Sequence, residues 1–152
     1  MADSNAEVYL HFVWATKGRA ESIPQALERD LHRIIRSESQ RLRCDVLALG
    51  GTLNHIHLLV LFSRTITLAR YMEQIKGTSS RFLNENLAHL PDQADTYFSW
   101  QPGYGVFSVG INQTLPVIAY IKGQKEHHAS GDIKQRWEPP DEFSTDTTVN
   151  ID

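Results

Sequence analysis

The chain has 152 residues, 41% of them apolar and 22% charged, with a formal net charge of −3, a composition that fits one globular domain with a proper core. No apolar run approaches the ~20 residues of a membrane-spanning helix, and a lone cysteine, Cys44, excludes an internal disulfide and a cysteine-built zinc site. The start Met1-Ala2-Asp3-Ser4-Asn5 is polar and acidic, so no signal peptide is expected and the expected location is the cytoplasm.

Glu7 to Trp14 is rich in β-branched and aromatic residues and predicts a first strand. A basic loop follows. Ser22-Ile23-Pro24-Gln25 predicts a helix start, with Ser22 as cap and Pro24 in the first turn, and Leu27, Leu31, Ile34, Ile35 and Leu42 fall on one stripe running to about Arg43. Cys44 to Thr52 predicts a second strand and His55 to Phe62 a third, apolar on both faces beyond its histidines and therefore central and covered on both sides. Thr67 is a plausible cap for a helix whose Leu68, Tyr71, Met72, Ile75, Ser79, Phe82 and Leu83 make an i, i+3, i+4 stripe. Gly77 within it suggests close approach of another group. Tyr97 to Val109, broken by Pro102-Gly103, predicts a bent or split fourth strand. Asn112 can cap a third helix reaching about His128, with Pro116 in its first turn.

That order predicts an α+β, ferredoxin-like (split βαβ) fold: an antiparallel sheet with helices on one face and an added C-terminal helix. Residues 1–131 are read as one domain and 132–152 as a polar, acidic tail, disordered or loosely docked. The fold hosts unrelated functions and decides none of them. Charge is uneven. Residues 138 to 152 hold five acids and no base, residues 17 to 43 hold seven bases against four acids, and residues 64 to 81 four against one. Basic stripes suit a phosphate-bearing partner, and equally suit the wet faces of two helices.

The chemistry concentrates in two places. His55 and His57 are two apart on the third strand, so both imidazoles leave the same face, where they can hold a cation between them or simply be half-buried strand histidines. In helix three, Tyr120 and Gln124 are one turn apart, while Leu115, Ile118 and Ile121 form an apolar stripe that can pack. A glutamine carbonyl with two imidazoles would make three ligands and leave positions open for substrate, and a tyrosine hydroxyl beside that metal can act as a nucleophile; an exposed helix with an amphipathic tyrosine reads as well.

Leu10-His11-Phe12-Val13-Trp14-Ala15-Thr16-Lys17, Asn54-His55-Ile56-His57-Leu58-Leu59-Val60, Ile75-Lys76-Gly77-Thr78-Ser79-Ser80, Trp100-Gln101-Pro102-Gly103-Tyr104-Gly105-Val106-Phe107-Ser108-Val109 and Tyr120-Ile121-Lys122-Gly123-Gln124-Lys125-Glu126-His127-His128 follow one another in this order. The set resembles the single-tyrosine HUH transposases, the small insertion-sequence and REP-associated enzymes that mobilise single-stranded DNA. The likeness runs from about residue 9 to 129, with Asn54 where members often carry Asp and Gly123 where they often carry Asn. It implies His55, His57 and Gln124 as ligands of Mg²⁺ or Mn²⁺ and Tyr120 as the nucleophile that forms a 5′-phosphotyrosine at hairpin-flanked DNA ends. It also implies a bacterial or archaeal, nucleoid-associated protein and a homodimer with the tyrosine supplied in trans, although REP-associated members act as monomers. Candidate phosphate contacts are Lys17, Arg19, Lys76 and Arg81, and candidate base-stacking rings Trp100 and Tyr104. The competing readings are a ferredoxin-like module that binds single strands without chemistry, and a domesticated nuclease.

Overall fold

The computed structural model describes residues 4–126 and 137–139. Strand β1 (Tyr9–Ala15) leads through a 3₁₀ turn (Lys17–Arg19) to helix α1 (Gln25–Arg41); β2 (Asp45–Gly51) and β3 (His55–Leu61) follow, then α2 (Leu68–Leu87), β4 (Gly105–Val109), a second 3₁₀ turn (Ile111–Gln113) and α3 (Thr114–Lys122). The four strands make one sheet in the order β2-β3-β1-β4, antiparallel at every pairing. This is the split βαβ arrangement, with β3 inserted between β2 and β1.

Alternation along the strands sorts side chains to two faces. Ile56, Leu58 and Val60 of β3 join Phe12 and Trp14 of β1 in the main core, closed by Leu27, Leu31 and Ile35 of α1 and by Tyr71, Met72, Ile75 and Leu83 of α2. On the other face, Leu59 and Ala48 pack against Val117 and Ile121 of α3, with Trp137 at the margin. The third strand is buried along its length except at Leu61. Its second face is thus covered by α3 of the same chain.

Boundaries differ from the sequence reading for local reasons. Helix α1 starts at Gln25 with Pro24, not Ser22, as its cap, and no side chain caps it. The α2 cap is as expected: Thr67 Oγ1 accepts from the Arg70 amide at 3.1 Å. The fourth strand shrinks to Gly105–Val109 because Phe98 and Trp100 turn inward to the main core, and Gly103 takes φ +88, which breaks the strand. Helix α3 is preceded by a 3₁₀ turn rather than capped by Asn112 and is interrupted at Gly123. Leu115 does not pack; it is 76% exposed. Gly77 meets nothing within 4 Å among the described residues, so no other helix approaches it there. The boundary expected at 131/132 lies outside the described residues. Of the tail, Trp137–Pro139 are described, and Glu138 and Pro139 are buried.

Candidate active site

In the β1–β3 register Ala15 sits opposite His55 and Val13 opposite His57. Both histidines point to the α3 face and are buried, at 3% and 0% exposure. The close approach of α3 to β2 is set at Gly50. A Cβ there would stand 2.4 Å from the Ile121 carbonyl oxygen, so only glycine lets the helix lie this low. Seated on that contact, Tyr120 brings its ring to 5.8 Å from that of His57, and Gln124 brings Oε1 to 3.0 Å from His55 Nε2. The expected set of His55, His57, Tyr120 and Gln124 is therefore brought together within one chain, and all four side chains are buried.

Two residues missed by the sequence reading belong to this cluster. Glu138 places Oε2 3.4 Å from His55 Nε2 and 3.6 Å from His57 Nε2, and its Oε1 accepts the Tyr120 hydroxyl proton in a hydrogen bond. Ligand atoms of His55, His57 and Glu138 lie within 4.8 Å of one another, a possible metal-binding group. Burial pushes the Glu138 carboxyl up, but bonds from His57 and Tyr120 and the charges of His57 and His55 outweigh it and hold it at about 2. An acid in a polar tail carries no pattern that would single it out. His11, fully buried, sets Nε2 2.8 Å from His57 Nδ1. Burial first, then the charge of His57, lowers His11 to about 3, so it stays neutral. A histidine amid the apolar run of β1 was the available signal.

Hydrogen bonds fix which ring atoms face inward. Asn54 Nδ2 donates to the Arg19 carbonyl at 3.3 Å, which turns Oδ1 toward His55 Nδ1 at 2.7 Å. Nδ1 must then donate, so a neutral His55 carries its lone pair on Nε2. Gln124 is oriented in the same way: its Nε2 donates to the Tyr120 carbonyl at 3.3 Å, leaving Oε1 toward His55. Around His55 Nε2, a ring lone pair, an amide oxygen and a carboxylate oxygen converge. Positive charge satisfies that convergence, either a proton on His55 or a divalent cation. The nitrogen and oxygen donors fit Mg²⁺ or Mn²⁺, with imidazole leaning toward Mn²⁺.

The candidate DNA contacts scatter. Lys17 is exposed beside the site. Arg19 is half-buried, its Nη2 donating to the Pro139 carbonyl. Lys76 and Arg81 lie on α2, across the sheet from the histidines. Lys76 Nζ donates to the Gln101 and Gly103 carbonyls at 2.8 and 3.0 Å, and burial lowers its pKa; Arg81 is exposed. Trp100 is a core side chain rather than a stacking platform: it is 8% exposed, edge-on to Trp14 and Phe98, and donates Nε1 to Ser79 Oγ at 3.0 Å. Tyr104 is half-buried against the same core. No helix among the described residues is long and apolar enough to cross a membrane.

Comparison with known proteins gives a family and a fold. The family model described as "Transposase IS200 like" matches residues 4–124. The transposases for insertion sequence element IS200 of Salmonella typhimurium and Salmonella typhi are each 29% identical to this chain over 122 residues, 80% of either length. Among solved structures, a candidate transposase from Deinococcus radiodurans R1 is similar with a TM-score of 0.61 at 22% identity, covering 82% of this chain and 98% of that one. A REP-associated tyrosine transposase bound to a REP hairpin is similar with a TM-score of 0.59 at 14% identity, covering 90% of this chain and 78% of that one. At these identities the two structures speak for the fold.

Proposed function

This chain belongs to the IS200-like transposases, and from that premise we propose that it cleaves and rejoins single-stranded DNA at hairpin-flanked ends through a covalent bond to Tyr120. The observation that carries the reading is a buried tyrosine whose hydroxyl donates to a carboxylate that also reaches two histidines on one sheet face. A tyrosine at its ordinary pKa of ~10 is a weak nucleophile near neutrality and needs such surroundings to act. A hairpin partner is supported by the solved relative that binds one.

His55, His57 and Gln124 would hold the cation, with Glu138 within reach of the same position. A divalent ion there supplies charge that polarises the phosphoryl group. The chain's own residues do the rest. Tyr120 Oη attacks phosphorus, its bond to phosphorus forms as the bond to O3′ breaks, and the tyrosine proton leaves to neighbouring acceptors while the O3′ leaving group takes up a proton. The phosphodiester's energy is kept in the phosphotyrosine, so another strand's 3′-OH reverses the step without ATP. His11 holds His57 from behind, and Asn54 holds His55, so both rings present Nε2.

The test is incubation with a single-stranded hairpin library and Mn²⁺, then a denaturing gel and sequencing of the adducts. A covalent adduct that disappears in Tyr120→Phe and in excess EDTA is expected. Binding without any adduct would instead favour a binding module. Assembly is decided by mixing His57→Ala with Tyr120→Phe under subunit exchange. His55, His57, Tyr120 and Gln124 lie close together within one chain, and the expected outcome is that no cleavage returns. Recovered cleavage would assign the tyrosine to a homodimer that supplies it in trans.

A further inference from the structure

The basic stripe of α1 is not used by the site just described, yet it leads to it. Arg29, Arg33 and Arg36 follow one another at spacings of four and three, which places them on one side of α1. With His32 and Lys125 they line a cleft of about 590 Å³. A second cleft of about 330 Å³ shares Glu28, His32 and Lys125 with the first and continues over Gly50, Gly51, Lys122 and Gly123. That end adjoins Gln124, whose Oε1 faces His55. The two clefts therefore form one groove from the outer face of α1 to the edge of the candidate active site.

The groove is basic in a chain that is acidic as a whole. Its lining carries five cations, Arg29, Arg33, Arg36, Lys122 and Lys125, against the acids Glu28 and Glu126. Glu28 is engaged by Lys125 and Asp30 pairs with Arg33 at 3.5 Å. Among the described residues Arg29 and Arg36 have no ion pair and stand exposed. Burial lowers the pKa of His32, Glu28 raises it, and Arg36 and Lys125 lower it further, so acid and both cations act on the ring that the two clefts share. Among the described residues no tryptophan, tyrosine or phenylalanine lines either cleft, so this lining offers contacts to phosphates rather than stacking for bases.

We propose that this groove is a track for the sugar-phosphate backbone of a single DNA strand on its way to Tyr120. The inference rests on the single-strand reading above and adds to it a place and a mode: contact with phosphates, indifferent to base sequence. It separates holding the strand, done along α1, from cutting it, done on β3 and α3.

The test uses the full-length chain in a Tyr120→Phe background, so that no chemistry intervenes, and a fluorescent poly-dT strand of about 20 nucleotides as probe. Arg29→Gln/Arg36→Gln is expected to weaken binding about tenfold near 0.1 M salt and to reduce the slope of log affinity against log salt by about 1.4, roughly 0.7 for each lost phosphate contact. Both side chains are exposed, so circular dichroism and melting should be unchanged. A mixed-sequence strand should lose as much as poly-dT. Unaltered affinity, or a loss of affinity with the salt slope unchanged, overturns the track. Failure of the parent to bind any single strand overturns the track together with the reading beneath it, whereas covalent adducts in the library experiment with no effect of the double variant sink the track alone.

Discussion

The two faces of the sheet are built from the same strands and behave as opposites. Toward α1 and α2, β3 offers Ile56, Leu58 and Val60, and the neighbours that cover them are almost wholly apolar. Toward α3 it offers His55, His57 and Leu59, and there only Ala48, Leu59, Val117 and Ile121 make an apolar cluster, beside a buried set of His11, Tyr120, Gln124 and Glu138. One face removes apolar surface from water and stabilises the fold. The other keeps polar side chains buried, which is tolerated because they bond to one another, His11 to His57, Gln124 to His55 and Tyr120 to Glu138. A one-residue shift in the register of β3 would exchange the two.

Breaking the polar face should stop chemistry and spare the fold. Tyr120→Phe removes one oxygen and His57→Ala one ring; each is expected to lower adduct formation by about a thousandfold or more in single-turnover assays, with near-native circular dichroism. Unfolding by either would mean that the histidine face also carries the fold. Breaking the apolar face should do the reverse. Leu58→Ala is expected to cost about 2–5 kcal/mol in urea denaturation, while the folded fraction keeps wild-type Mn²⁺ affinity. A loss of metal affinity in that variant would join the faces energetically.

Acid should reach the polar face first. The folded pKa of His11 is about 3 against an ordinary 6.5, so the unfolded chain binds a proton that the folded one does not. Stability from this group is therefore fully present above pH 6.5 and is lost as pH falls toward 3. Urea midpoints of the metal-free protein between pH 6.5 and 5 should decline more steeply for wild type than for His11→Gln. Equal slopes would mean that His11 is charged or solvated in the fold. The smallest effect belongs to the apolar side's periphery: Thr67→Ala removes the oxygen that accepts the Arg70 amide and should cost about 1 kcal/mol, with cleavage unchanged.

What could be read in the sequence follows the same division. Strands β1 to β3 and helices α1 and α2 were legible because their apolar spacing matches periods of 2 and 3.6, and those faces pack on near neighbours. His55, His57, Tyr120 and Gln124 were legible as pairs at strand and helix spacing, and as a group through the family resemblance. Three things were not. Glu138 reaches the cluster by tertiary placement of a short segment, which no period encodes. Trp100 reads as part of a strand and equally as a stacking ring or a core side chain; its indole lies in the core beside Phe98 and donates to Ser79. The covering of β3's second face pointed to another subunit, because helices on one side of a two-layer sandwich cover only one face and Gly110 could let the third helix swing away; instead Val117 and Ile121 of that helix cover it.

The missing methyl group at position 50 makes that residue a gauge for the whole catalytic arrangement. A Cβ at 2.4 Å from the Ile121 carbonyl must move out to the 3.4 Å of ordinary contact, so an alanine would lift α3 by about 1 Å at the peptide next to Tyr120. His55, His57, Gln124 and Tyr120 would all remain present, yet Tyr120 would stand off from the histidines. Misplacement on that scale can cost about a hundredfold in rate. Gly50→Ala would thus separate possession of the right groups from their alignment, and position 50 offers a means of attenuating the enzyme by degrees without altering a single reacting atom.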